Sequence, residues 1–230
     1  MVADTEKGFF IDLSRCDACR GCQVACEQWH NQGTIPTKQT GNNQNPPDLN
    51  YECYKVVRFE EKVYNNKFEW LFFPEQCRHC FDAPCQAQAD LEVEGAIITD
   101  PATGIVIYTE KTKELDFEAV REACPYNIPR QDPKTKLISK CDLCFDRVQN
   151  NMVPACVQTC HSGCMNYGSY KEMLALANKR LEEVKKDYPQ AVLGNPDAVH
   201  IIYLFPFPPH DYYEYAVADS GEDSSQTSFA

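Results

Sequence analysis

Cys16–Asp17–Ala18–Cys19–Arg20–Gly21–Cys22–Gln23–Val24–Ala25–Cys26 places four thiols at spacings of three, three and four. The first three can close around one iron–sulfur cube from three corners, while the fourth is carried away from it. Zinc sites take cysteines as separated C-x2-C pairs and have no use for a third thiol at this spacing. Disulfides within so tight a run would be strained. Residues 1–8 hold three charges and no apolar leader that would send the chain to an oxidising compartment. The stretch therefore reads as ligands for [4Fe–4S] clusters, with the fourth cysteine serving the other cluster of a pair.

The chain has 230 residues and 14 cysteines, far more than an ordinary intracellular protein carries. Twelve fall into spaced groups, which argues for metal over scattered disulfides. After the opening stretch come Cys77-x2-Cys80-x4-Cys85, then Cys124–Pro125 alone, then Cys141-x2-Cys144-x11-Cys156-x3-Cys160. In a cluster pair each cube takes three ligands from one group and the closing cysteine from the other. Pairing the first group with the last gives Cys16, Cys19, Cys22 and Cys160 as one set, and Cys141, Cys144, Cys156 and Cys26 as a second. Pairing the middle groups gives Cys77, Cys80, Cys85 and Cys124. A fourth set would need thiols at Ala89, Glu114, Phe117 and Val120, and all four positions lack them. The losses coincide at one site, so the expectation is three [4Fe–4S] clusters with a fourth site abandoned.

Cys53 and Cys164 are left over. Each reads as a small buried residue, although Cys164 lies four residues after Cys160 and is also a rival ligand. His79, between Cys77 and Cys80, is a poor ligand because its set is full; it is expected to donate to a cluster sulfur or to face a partner. Arg15, Arg20, Arg78, Lys140 and Arg147 flank the cysteine groups, where positive charge would raise cluster potentials.

The expected fold is α+β, with two ferredoxin-like units, inserted β-hairpins and a C-terminal helix. The first unit is residues 8–52 plus 132–168, with two clusters; the second is 53–131, with one cluster and one empty site. Residues 169–218 form a helix and extension, and the acidic end, 219–230, is expected to be unstructured. Phe9–Leu13 reads as a strand, Val24–His30 as the start of a helix, and Asn31–Asn50 as a long loop serving as a connector or a partner-facing arm. Tyr54–Phe59 and Val63–Phe73 read as strands with a turn at Asn65–Asn66, and Phe68, Trp70 and Phe72 as a core-facing stripe. Ala96–Thr99 and Ile105–Tyr108 form a hairpin. Ser169 and Glu172 make a capping box. Behind it Tyr170, Leu174, Ala177, Leu181, Val184 and Tyr188 form one apolar stripe, for packing against the core or a partner.

The net charge of −12 argues against a nucleic-acid partner. No apolar run approaches the ~20 residues that span a bilayer; Val199–Phe207 is the best candidate and is broken by Pro206. There is no nucleophile–base pair, phosphate loop or dinucleotide fingerprint. A chain holding several clusters is then an electron conduit. A zinc-stabilised scaffold that only binds partners is the rival of another class.

The four-group pattern resembles the iron–sulfur subunits of the molybdopterin oxidoreductase superfamily. Within it the chain closely resembles the beta subunits of soluble tungsten- or molybdenum-containing formate dehydrogenases of sulfate-reducing bacteria. The residues that carry this are Phe9–Phe10–Ile11–Asp12, Ala18–Cys19–Arg20–Gly21–Cys22–Gln23, Gln44–Asn45–Pro46–Pro47–Asp48, Trp70 through Cys80, Ala123–Cys124–Pro125–Tyr126, Lys140–Cys141–Asp142 and Pro154–Ala155–Cys156. The likeness runs on through the helix to Tyr213–Glu214–Tyr215–Ala216–Val217–Ala218. It implies a catalytic alpha subunit holding tungsten or molybdenum on bis-molybdopterin guanine dinucleotide, where formate is oxidised. It also implies a soluble acceptor such as a multihaem cytochrome c. A periplasmic location by co-export with the catalytic subunit would follow, with the cytoplasm as the alternative. The same role in a transhydroxylase or a sulfur-compound reductase is the nearest rival. One departure stands out: relatives follow the last closing cysteine with Pro-Thr-Gly, and here the residues are His161–Ser162–Gly163–Cys164.

Overall fold

The computed structural model describes residues 6–39 and 41–218; the acidic end expected to be unstructured, 219–230, lies outside them. In chain order the elements are β1 (Lys7–Asp12), α1 (Gly21–Trp29), β2 (Val56–Tyr64), β3 (Lys67–Glu75), α2 (Pro84–Asp90), β4 (Ile97–Thr99), β5 (Val106–Tyr108) and α3 (Phe117–Glu122). They continue with β6 (Arg130–Gln131), β7 (Ile138–Ser139), α4 (Phe145–Gln149), α5 (Ala155–Gln158), β8 (Met165–Ser169), α6 (Tyr170–Val184), β9 (Val192–Gly194), β10 (Ile201–Phe205) and α7 (Pro209–Tyr212).

The Val199–Phe207 run is no membrane segment: its core is β10, a central strand. The main sheet has the order β8-β1-β10-β9, with β1 and β10 parallel and their outer neighbours antiparallel. A strand buried on both faces has no polar alternation to show, and every residue of β10 is buried. Phe10, Ile202 and Leu204 face α6, where they meet Tyr170, Met173, Ala177 and Val184. Phe9, Ile11, Ile201, Tyr203 and Phe205 belong to the cluster that also holds Cys22, Cys156 and Cys164. The sheet thus separates a packing helix from the cysteine-bearing side. No helix among the described residues is long and apolar enough to cross a membrane.

The capping box at Ser169 and Glu172 forms as expected, and the helix stops at Val184, one turn before Tyr188. Arg180 of α6 bonds to buried Asp12 at the end of β1 (2.8 Å), pinning helix to sheet. Gly8 is required here, because a Cβ would come within 2.7 Å of the Tyr170 backbone.

β2 and β3 form a hairpin in register from Val56↔Glu75 to Tyr64↔Lys67. Its turn is Asn65–Asn66, both at positive φ (49° and 60°), the twist that two-residue hairpin loops need. Residues 63 and 64 therefore belong to the first strand, not the second. The expected core stripe is also corrected: Phe68 and Trp70 are 58% and 49% exposed. Period two identifies a shared face but not which face is inward. Here Leu71 and Phe73, at 2% and 0%, take the interior. The β4/β5 hairpin forms as read, with Ile97 opposite Tyr108. Helix α1 starts at Gly21, three residues before the expected position. The described residues of the arm 31–50 form no helix or strand. Asp48 ties it to Arg130 (2.6 Å) and to Arg58.

Candidate metal centres

Each C-x2-C opening is built by the same local device. The residue just before the second cysteine takes a left-handed conformation: Ala18, His79 and Leu143, at φ 55°, 47° and 59°. This curl turns a backbone N–H onto the first sulfur, from His79 to Cys77 Sγ and from Leu143 to Cys141 Sγ, each at 3.4 Å. Ala18 supplies the equivalent bond to Cys16. Donors aimed at a sulfur stabilise a thiolate and tune any cluster it holds.

Cys22 and Cys26 ride on α1, one helical turn apart and both buried. Cys156 rides on α5, and Thr159 at the end of that helix closes against Gly21, 3.5 Å from where a Cβ would sit. This pairing of α1 with α5 brings the two ends of the cysteine pattern together. Cys22 lies within electrostatic reach of Cys16, Cys19 and Cys156, and Cys16 of Cys160. Cys26 lies within reach of Cys141, Cys156 and Cys144. Cys77, Cys80, Cys85 and Cys124 line one small cavity, walled by Ala83, Val106, Ile128 and three prolines. Cys77 and Cys141 pack in one apolar cluster, and Cys22 and Cys156 in another. The group containing Cys141 and Cys156 therefore lies between the other two.

All fourteen cysteines are free. Burial pushes the thiols of Cys22, Cys124 and Cys144 up to about 12, and their like-charged neighbours add to it. Burial likewise raises Cys26, Cys80 and Cys141. Converging buried thiols repel as anions unless a polycation sits among them, so this donor set fits an iron–sulfur cluster. The Tyr108 hydroxyl adds to the fit. It is buried with no oxygen or nitrogen partner, and the group it faces is the Cys85 thiol.

Cys164 is buried at 1%, as expected of a small buried residue, and its thiol lies beside both Cys16 and Cys160, which raises its own pKa and lowers theirs. The reading of Cys53 needs correction. Cys53 is only half-buried, and its thiol donates to the Lys55 carbonyl (3.2 Å). His79 faces no surface: it is fully buried, its Nδ1 accepting from the Val106 N–H (3.1 Å). Burial holds its pKa well below the usual histidine value, helped by nearby Lys140.

Of the flanking cations, Arg78, Lys140 and Arg147 are buried. The Arg78 guanidinium lies over the Tyr203 ring at 4.6 Å. Lys140 Nζ donates to the carbonyls of Val106 (2.6 Å) and Cys141 (2.9 Å). Arg20 instead braces the arm at the Asn43 carbonyl, and Arg15 is exposed. Lys55 was not among the candidates. It is 1% exposed, with its ammonium on the Gln76 side-chain oxygen. Burial opposes its charge, but Cys156 and Cys22 outweigh that and raise its pKa. The only sequence signal was a lysine directly before the apolar Val56–Val57.

The positions of the missing fourth set are packed shut. Ala89 and Val120 are fully buried with Ala96, Ile97, Leu115 and Ile138, and Phe117 packs against them. Glu114 is exposed.

A family profile for a 4Fe-4S dicluster domain matches residues 68–170. The chain is 53% identical over 213 residues to the formate dehydrogenase subunit beta of Megalodesulfovibrio gigas, covering 92% of this chain and 99% of the relative. It is 54% identical over 215 residues to the formate dehydrogenase 2 subunit beta (cytochrome c-553) of Nitratidesulfovibrio vulgaris, covering 91% and 98%. Against the iron-sulfur subunit of the nitrate-inducible formate dehydrogenase of Escherichia coli it is 37% identical over 198 residues, covering 84% and 66%.

Proposed function

Because the chain belongs to the iron–sulfur beta subunits of the formate dehydrogenases of sulfate-reducing bacteria, which carry electrons and hold no substrate site, we propose that it does so through three [4Fe–4S] clusters. Cys16, Cys19, Cys22 and Cys160 would hold the first. Cys77, Cys80, Cys85 and Cys124 would hold the middle one, and Cys26, Cys141, Cys144 and Cys156 the last. The observation that supports this reading is the convergence of Cys77, Cys80, Cys85 and Cys124 on one cavity, with Cys26 within reach of Cys141, Cys144 and Cys156. The two-unit organisation, 8–52 with 132–168 and 53–131, follows from the same pairing.

When bound, each cluster supplies a site that takes up and releases one electron. The chain's own residues do the rest. The left-handed residues aim N–H groups at cysteine sulfurs, and the apolar walls exclude water. The buried cations offset negative charge. Serial order follows from packing: the group of Cys141 and Cys156 links the other two, and exposed Cys19 brings the first group to the surface.

The electron source in this reading is a catalytic alpha subunit with a tungsten or molybdenum pterin site, where formate leaves as carbon dioxide, a proton and two electrons. The acceptor is a soluble cytochrome c, in line with the name of the Nitratidesulfovibrio relative. The compartment is the periplasm, reached by co-export with the catalytic subunit.

The test is to purify the complex and count metal. About twelve iron and twelve acid-labile sulfide per chain are expected for three four-iron clusters, with formate reducing first the clusters and then cytochrome c. Zinc with little iron would overturn the electron-carrier reading; about sixteen iron would overturn the closed fourth site.

A further inference from the structure

Lys55 has no place in the ligand scheme, yet it is among the most deeply buried charged groups described. Its hydrogen-bond acceptor among the described residues is a neutral amide, the Gln76 side-chain oxygen, and its Nζ lies 5.8 Å from the centre of the Phe9 ring. No carboxylate among the described residues makes an ion pair with it. Glu75, the buried acid beside Gln76, is taken by Arg58. A buried ammonium without an anion is costly and would normally be lost to an apolar residue. Phe9 packs in one apolar cluster with Cys22 and Cys156, and those two sulfurs, with Cys141, are the thiols within electrostatic reach of the ammonium. Cys26 feels it as well. These thiols come from the first and last groups. The cations beside the middle group are Arg78 and Lys140, which line its cavity.

We propose that Lys55 is an intercluster cation, held between the first and last clusters to raise both of their potentials while leaving the middle cluster untouched. This rests on the three-cluster reading. The physical reason is that reduction adds an electron to a cube already carrying four thiolates, and a fixed positive charge in a dry gap favours the reduced form of each neighbour. Gln76 and Phe9 keep the ammonium in the gap; the charge balance comes only from the two cluster sites. Placed there, one residue lifts two adjacent stations of the conduit together, so neither becomes a trap for the electron.

The test is made on the intact complex with Lys55→Met and Lys55→Arg. Midpoint potentials are measured by EPR-monitored redox titration, and Cys124→Ser identifies the middle cluster's signal. Lys55→Met should retain all its iron and lower two of the three potentials, with the middle one unmoved. Lys55→Arg should stay near the parent values. Loss of iron from the first and last clusters alone in Lys55→Met would also support the assignment. Unchanged potentials in a fully loaded Lys55→Met variant, an equal shift of all three, or loss of every cluster would overturn it. The iron count of the unsubstituted complex tests the three-cluster reading separately, before any variant is made.

Discussion

The thiol pocket of Cys77, Cys80, Cys85 and Cys124 and the apolar nest around Ala89 and Val120 share a wall. Ala83, Cys85 and Val106 belong to both. Helix α2 serves each in turn, giving Cys85 to the pocket and, one turn later, Ala89 to the nest. On one side four thiols line a small cavity. On the other, Ala89, Ala96, Ile97 and Val120 are each fully buried, and the space is closed. Protein interiors are packed like crystals, and an unfilled volume costs stability in proportion to its size. A site that gives up its ligands must therefore be refilled with side chains. The neighbouring pocket can keep its volume because its thiols have a different occupant to satisfy.

The sharpest way to break this comparison is Cys124→Ser, which removes the one ligand that α3 and its following turn contribute to the pocket. Iron should fall by about four per chain, with the nest and the other two clusters retained; iron analysis and EPR check it. Loss of the other clusters as well would mean that the pockets are not independent.

Val120→Asp attacks the nest instead. An uncompensated carboxylate there should cost at least about 3 kcal/mol, read as a fall in thermal midpoint of the loaded chain. Glu114→Gln, at the exposed position of the same missing set, should stay within about 0.5 kcal/mol. Equal effects would show that the abandoned site is not packed as described.

Cys164→Ala sharpens the contrast from the other end of the molecule. It deletes a thiol that lies beside Cys16 and Cys160 and should leave the iron count intact. The potential of the first cluster should fall and that of the middle cluster stay, because a donor to a cluster sulfur favours the reduced state. Redox titration of the variant decides it.

A modest effect is expected at Asp48, which fastens the arm to β2 and β6. Its partial burial disfavours the charge, but Arg130 and Arg58 prevail and hold its carboxyl below the ordinary value of 3.8. A depressed pKa stabilises the fold above the unfolded value, and that contribution is lost as pH falls through the folded value. Asp48→Asn should thus cost up to about 1 kcal/mol near neutrality, since the carboxylate is partly exposed. The difference from the parent should vanish in acid below the folded pKa, as seen in stability curves taken across pH.

The C-x2-C stretches were readable because their geometry is local: three residues and one left-handed turn set each pair of sulfurs. The capping box at Ser169 and the Asn65–Asn66 turn were readable for the same reason. The stripe of Phe68, Trp70 and Phe72 was misjudged because alternation reveals two faces without telling which one meets the core. Lys55 went unnoticed because a lysine at a strand's edge ordinarily reaches water, and only its surroundings show that it does not.

Residue spacing along the chain was enough for the iron–sulfur chemistry, since each C-x2-C pair is set by a few bonds. Folding alone decided that β10 enters the sheet parallel to β1, with Phe9 opposite Ile201. Folding alone also seated Lys55 between two groups of thiols and sent the aromatic stripe outward. Those outcomes depend on contacts between residues far apart in the chain, where burial and charge act through space and no local pattern records them.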